Sequence, residues 1–195
     1  MKNIHLISYL AIASIILIFL SSCSKDDPVI EIDQEEYNAA QIIFAHGHFE
    51  DDVFIESDEE IVIDFAKDGT PSSDHTHLTE GESYRMKINL FNNGENINQE
   101  IIEEAEEHQF FFLGAPEGVF DYVYEDDQIG LRGILSVKSH SETFDFSIIL
   151  RHGLNKSHSA AQLWNNPEHI QAGGADDLNF TLALHAESEE GGHDH

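Results

Sequence analysis

Thr143-Phe144-Asp145-Phe146-Ser147-Ile148-Ile149-Leu150-Arg151-His152 decides the fold. Phe144, Phe146, Ile148 and Leu150 recur at every second position, with Asp145, Ser147 and Arg151 between them. A period of two sends neighbours to opposite faces of a strand, so this segment reads as a strand with one face on a core. His152 continues the inward parity and is expected to be a hydrogen-bonded histidine at the core edge. Downstream, Asn179–Glu187 repeats the pattern, with Phe180, Leu182 and Leu184 inward and Thr181, His185 and Glu187 outward. Upstream, Ser83–Phe91 turns Tyr84, Met86, Ile88 and Leu90 inward and Arg85 and Lys87 outward. Shorter runs rich in branched and aromatic residues lie at Gln41–Phe49, Val53–Glu56, Ile61–Phe65, Gln109–Leu113, Val119–Tyr124 and Gly130–Val137. Turn chemistry separates them, at Lys67-Asp68-Gly69, Asn92-Asn93-Gly94, Asp126-Asp127 and Gly173-Gly174. Many short strands at this spacing predict an all-β fold: an antiparallel β-sandwich, immunoglobulin-like in size. One stretch departs from the pattern. Asn98 to His108 sets Ile101, Ile102 and Ala105 on one helical face among glutamates, which predicts a short crossing helix near 98–108 with Asn98 as its N-cap.

The chain has 195 residues, 38 of them acidic and only 9 Lys or Arg, for a formal net charge of −29. With 41% hydrophobic content it can build one principal core. No basic stripe exists to neutralise phosphates, which argues against a nucleic-acid partner. A single Cys excludes an internal disulfide and a Cys-rich zinc finger. The unusual residue is histidine, present 13 times.

Residues 1–22 read as a lipoprotein signal peptide. Lys2 is followed by an apolar run from Leu6 to Phe19, too short to span a bilayer comfortably. The run ends in Leu20-Ser21-Ser22-Cys23, which resembles the lipobox cleaved by bacterial lipoprotein signal peptidase and makes Cys23 the expected lipidation site. Several acyl chains on Cys23 would anchor the protein stably in outer-membrane lipid. Ser24-Lys25-Asp26-Asp27 resembles the acidic export signal of Bacteroidota surface lipoproteins, so an outer-membrane, outward-facing address is expected. Residues 23–37 read as an acidic tether, 38–187 as the sandwich domain, and 188–195 as a disordered acidic and His-bearing tail.

Further motifs follow the predicted helix: Glu106-Glu107-His108-Gln109-Phe110-Phe111-Phe112, Gly130-Leu131, Leu150-Arg151-His152 with Lys156, and Gly173-Gly174-Ala175-Asp176-Asp177 before the last strand. In this order they resemble a family of small Bacteroidota surface lipoproteins often encoded beside TonB-dependent outer-membrane receptors. The resemblance spans most of residues 38–185. It implies a TonB-dependent receptor as partner and carries no catalytic residue set.

Three His-x-His pairs stand outside that pattern: His46/His48, His75/His77 and His193/His195. Residues two apart on a strand share a face at roughly 6.5–7 Å, so both imidazoles of a pair can converge on one ion. His46, His48, His75 and His77 on adjacent strands would suit Zn²⁺, with Gly47 leaving the opposite face open. The alternative is two unrelated exposed pairs. Secondary candidates are Glu104 and His108, one helical turn apart, then His152, and the tail residues His193 and His195. His108 is equally readable as a cap of the helix end. His140, His158 and His169 read as solvated loop residues, and Trp164 either offers a ring to a sugar or packs over the sandwich edge.

No Gly-x-Ser-x-Gly elbow, His-Glu-x-x-His or Walker loop is present, so the expectation is a binding protein rather than an enzyme. The leading reading is a lipid-anchored surface protein that binds a divalent transition metal, zinc favoured, and assists TonB-dependent uptake. A receptor-associated glycan- or protein-binding adhesion module with incidental histidines is the alternative. A metal-dependent hydrolase is a third and would need an open coordination position.

Overall fold

Inward parity from both halves of the chain folds into two facing sheets. The computed structural model describes residues 36–188. The leader 1–22, Cys23, the tether as far as residue 35 and the tail histidines His193 and His195 lie outside the described residues. Ten strands follow in order: β1 (Ala39–Glu50), β2 (Val53–Ala66), β3 (Thr76–Thr79), β4 (Ser83–Asn92), β5 (Glu95–Asn96), β6 (His108–Leu113), β7 (Phe120–Tyr124), β8 (Arg132–Val137), β9 (Ser141–His152) and β10 (Ala175–Glu187). The larger sheet runs β2-β1-β4-β8-β7, with β5 paired to β4, and the smaller runs β3-β10-β9-β6. Every pairing is antiparallel except that of β3 with β10, which is parallel. The fold is the expected all-β sandwich.

One core joins the two sheets. Ile42, Phe44, Ile63, Met86, Ile88 and Leu90 of the larger sheet meet Phe110, Phe112, Phe146, Ile148, Leu150, Leu182 and Leu184 of the smaller. The hairpins follow local chemistry. Asp51 and Asp52 form the two-residue β1–β2 turn with φ of 48° and 65°, and Asn93-Gly94 turns β4 into β5 with φ of 50° and 87°. Both central residues need positive φ in such turns, and Asp, Asn and Gly tolerate it best.

Three differences from the sequence reading matter. The runs at Val53–Glu56 and Ile61–Phe65 are one strand, β2, interrupted by a bulge: Ala45 pairs with Glu60 but Gly47 with Glu56. The helix is only Asn98–Glu103 (α1), preceded by Ile97 as N-cap. Four glutamates crowd its negative end, where like charges repel each other and the dipole, so the chain turns and His108 opens β6 instead. Asn98 serves β4, its Oδ1 accepting from Leu90 N and its Nδ2 donating to Ile88 O, both at 2.8 Å.

The third difference is that the outer face of the smaller sheet is not simply polar. Residues 153–174, carrying two single-turn 3-10 helices, fold over it and bury Phe111 with Leu154, Ala160, Ala161 and Ala172. Gln109 beneath this cover donates to Ala161 O at 2.9 Å. His169 is therefore buried against the Phe111 ring, at 5.0 Å between centroids, rather than solvated. His158 caps the first 3-10 turn, its Nδ1 accepting from Ala160 N at 3.1 Å. Trp164 packs on the core beside Tyr122, and its carbonyl accepts from Phe112 N at 2.8 Å, closing part of the β6 edge. Among the described residues no helix is long and apolar enough to cross a membrane.

Candidate metal centres

The parallel β3–β10 pairing has a chemical consequence. It sets His77 opposite His185 on the outward face of the smaller sheet, since their neighbours Leu78 and Leu184 are buried inward. His75, two residues before His77, lies over the same face. His75 and His185 each stack with His77, at 4.4 and 5.4 Å between centroids, and are tilted to one another at 5.7 Å. One ring nitrogen from each lies within 4.8 Å of the others. Glu187, the next outward residue of β10, brings its carboxylate to His77 Nδ1. Thr143 of β9 places its hydroxyl 3.2 Å from His75 Nε2. Two nitrogens bound to one zinc at 2.0–2.1 Å sit about 3.4 Å apart, so rotations moving these exposed or half-buried rings by roughly 1 Å would bring all three onto an ion.

His46 and His48 do not join that group. β1 lies in the larger sheet and β3 in the smaller, so the adjacent-strand site of His46, His48, His75 and His77 does not form. Nor is the face at Gly47 open. A Cβ there would stand 2.3 Å from Ile55 O and 2.7 Å from the Phe54 ring, which fills the space. His46 is engaged by Glu82 (Nε2 to Oε2, 2.7 Å) and Ser57 (Nδ1 to Oγ, 3.2 Å), and exposed His48 by Glu50 at 3.2 Å. His46 and His77 nevertheless line one cleft of about 430 Å³, together with Glu59, Glu60, Glu82 and Tyr84. Its acidic wall raises the local concentration of cations beside His77.

A second group unites three secondary candidates, Glu104, His108 and His152, again with ligand atoms within 4.8 Å. His108 and His152 face each other across β6 and β9, with ring centroids 4.4 Å apart. Burial pushes the His108 imidazole below its ordinary pKa, against the opposing pull of the Glu104 carbonyl bonded to its Nδ1 at 3.1 Å. The helix-cap reading survives only in that bond. Asp177 and Glu107 also reach this group. Sequence reasoning did not single out His185, Asp177 or Glu107. Outward parity placed His185 beside Glu187, but nothing local announced which strand would pair there.

The acidic turn after β7 serves the backbone. Asp126 accepts from the amides of Ile129, Gly130 and Arg132 at 2.8–3.1 Å. Comparison with protein-family models, curated proteins and solved structures yields no match to this chain.

Proposed function

We propose that this protein is a lipid-anchored outer-membrane lipoprotein that binds a divalent transition metal, zinc foremost, through His75, His77 and His185. The convergence of three imidazoles on one exposed sheet face carries the reading. Three neutral nitrogens are the donor set that suits zinc, and Glu187 behind His77 is the carboxylate partner that orients such a ligand. Exposure of His77 and the acidic cleft beside it favour exchange over permanent storage, as delivery to a TonB-dependent receptor would require. The anchor is Cys23.

Zinc calorimetry on the full chain tests the metal reading. His77→Ala/His185→Ala is expected to remove one bound equivalent and leave the metal-free midpoint of unfolding unchanged, because both side chains stand outside the core. Occupying the site should raise stability by about 2.7 kcal/mol at a hundredfold excess over Kd. His193→Ala/His195→Ala should leave that equivalent in place. If the tail variant loses it and the strand variant does not, the metal is gathered by the tail and the three-His reading fails.

The address has its own test. Cys23→Ala should yield a protein that is unlipidated and absent from outer-membrane fractions. Persistence of the variant in washed outer membranes contradicts the anchor, and protection of the parent from protease added to intact cells contradicts the outward orientation.

A further inference from the structure

The cleft beside His77 has a chemistry of its own. β2 and β3 are edge strands of opposite sheets. Residues of both line the cleft, Glu59, Glu60 and Ile61 from β2 and His77 and Thr79 from β3, so it opens at the side of the sandwich. Its volume of about 430 Å³ is that of a small-molecule pocket.

The lining divides into two halves. Phe44, Ile61 and Tyr84 supply hydrocarbon. The Tyr84 ring is fixed by its hydroxyl, which accepts from Thr79 N at 3.1 Å, and by an edge-on contact with His46 at 5.6 Å between centroids. Glu59, Glu60 and Glu82 supply negative charge, and no Lys or Arg is among the lining residues. Lys87 stands 3.6 Å from Glu60 but donates to Glu56 at 2.6 Å, so its charge is engaged on the outer face of the larger sheet.

Glu82 is a positioned carboxylate, and the β2 bulge is what positions it. Ala45 pairs with Glu60 and Gly47 with Glu56, so Ser57, Asp58 and Glu59 all stand opposite His46. Ser57 Oγ accepts from Glu59 N at 3.2 Å and lies 3.2 Å from His46 Nδ1. With the Ser57 hydrogen on that lone pair, Nε2 carries the ring hydrogen and donates it to Glu82 Oε2 at 2.7 Å. A neutral ring therefore orients Glu82 and leaves its charge in place for a ligand.

The two halves together select the ligand. The carboxylates repel an anion. A metal ion gains little here: among the described residues, ligand atoms converge within 4.8 Å at the three-histidine face, whereas those of the cleft form no such group. Nor does an ion use Phe44 and Ile61. An organic cation uses everything, since its charged head meets Glu82 and the Tyr84 ring while its stem covers the hydrocarbon.

We propose that this cleft binds an organic cation, an alkylammonium or guanidinium group on an apolar stem, with Glu82 as its fixed counter-ion and Phe44, Ile61 and Tyr84 beneath the stem. The site is distinct from the three-histidine face, although His77 borders both.

The experiment is calorimetry and amide NMR of the metal-free full chain with hexylamine, using hexanol as the uncharged counterpart. Hexylamine should bind as one saturable equivalent, hexanol should not bind, and shifts should centre on residues 44–46, 59–61 and 77–84. Glu82→Gln keeps the shape and removes the charge, and should weaken hexylamine about tenfold or more, the scale of one charge-assisted hydrogen bond. The Glu82 side chain is 37% exposed, so this variant should unfold at the parent's midpoint. His75→Ala/His185→Ala should lose zinc and still bind hexylamine as the parent does, which separates failure of the metal reading from failure of this one. Acetyl-Gly-Lys-Gly-amide identifies the source of the cation. Affinity equal to that of hexylamine assigns the cleft to basic side chains of a polypeptide, and affinity about tenfold lower or more assigns it to free amines. Absence of hexylamine binding, equal binding of hexanol, unchanged affinity in Glu82→Gln, or shifts confined to residues 75, 77 and 185 each overturns the proposal.

Discussion

Arg85→Met is expected to destabilise the fold by an amount near the lower end of the ~3–5 kcal/mol that breaking a buried ion pair costs. Arg85 lies on the outward face of the central strand β4, yet it is only 8% exposed. Its Nη1 donates to Glu56 Oε1 at 2.5 Å, while Nε and Nη2 grip both oxygens of Glu125 at 2.6 and 2.9 Å. The guanidinium also sits 4.9 Å from the centre of the Phe54 ring. One side chain therefore pins β2 and the end of β7 to the middle of the larger sheet. Methionine matches the stem but takes three hydrogen bonds from the two carboxylates, leaving Glu56 with Lys87 and Glu125 with Arg132. Water reaches these carboxylates in part, since their side chains are 28% and 26% exposed, which places the cost at the low end.

The pH dependence carries a definite sign. The hydrogen bond from Lys87, then that from Arg85, holds Glu56 below its ordinary value of 4.5, and the Arg85 bond does the same for Glu125. A depressed folded value stabilises above the unfolded pKa, and that stabilisation is lost as pH falls through the folded one. The parent should lose this contribution on acidification, while Arg85→Met, which keeps the Lys87 and Arg132 bonds alone, has less of it to lose. Denaturation curves at about pH 7 should differ most and converge below about pH 4. The denaturant slope should stay unchanged, because the surface exposed on unfolding is the same. A gap that widens in acid contradicts the assignment.

The sandwich was legible because its period-two pattern is local: Phe144, Phe146, Ile148 and Leu150 face the core whatever their strand pairs with. What brings the site residues together is not local. His77 meets His185, more than a hundred residues away in the chain, through a parallel pairing that neither strand's own pattern encodes. Asp177 faces His108 because one residue is inserted in β10, and a shift of one reverses every face beyond it. Ile149 and Arg151 are buried on the face read as polar because residues 153–174 cover them, and an irregular segment has no period to betray where it docks. His75, His77, His108 and His152 could be picked from sequence as candidates. Their grouping could not.

Arg151→Lys is the second large effect expected, and its size rests on geometry rather than charge. Arg151 is 5% exposed and holds the turn before β10 by several bonds: Nε and Nη2 donate to Gly173 O at 3.1 and 2.9 Å, and Nη2 to Gly174 O at 2.8 Å. Nη1 pairs with Asp176, the residue before the bulge. The turn has no slack of its own, since a Cβ on Gly174 would stand 2.2 Å from His152 O. A guanidinium fork spans two carbonyls and a carboxylate at once, whereas an ammonium is a point donor on a flexible stem. Lysine should therefore keep the charge and still lose about 2–3 kcal/mol, because the buried group would be left with part of its partners. The loss should be local in origin. Hydrogen exchange is expected to accelerate over residues 154–172 and at the start of β10, while β1, β2 and β4 keep the protection set by global unfolding. A variant within ~0.5 kcal/mol of the parent and with uniform exchange would show that the covering segment, not Arg151, fixes the bulge.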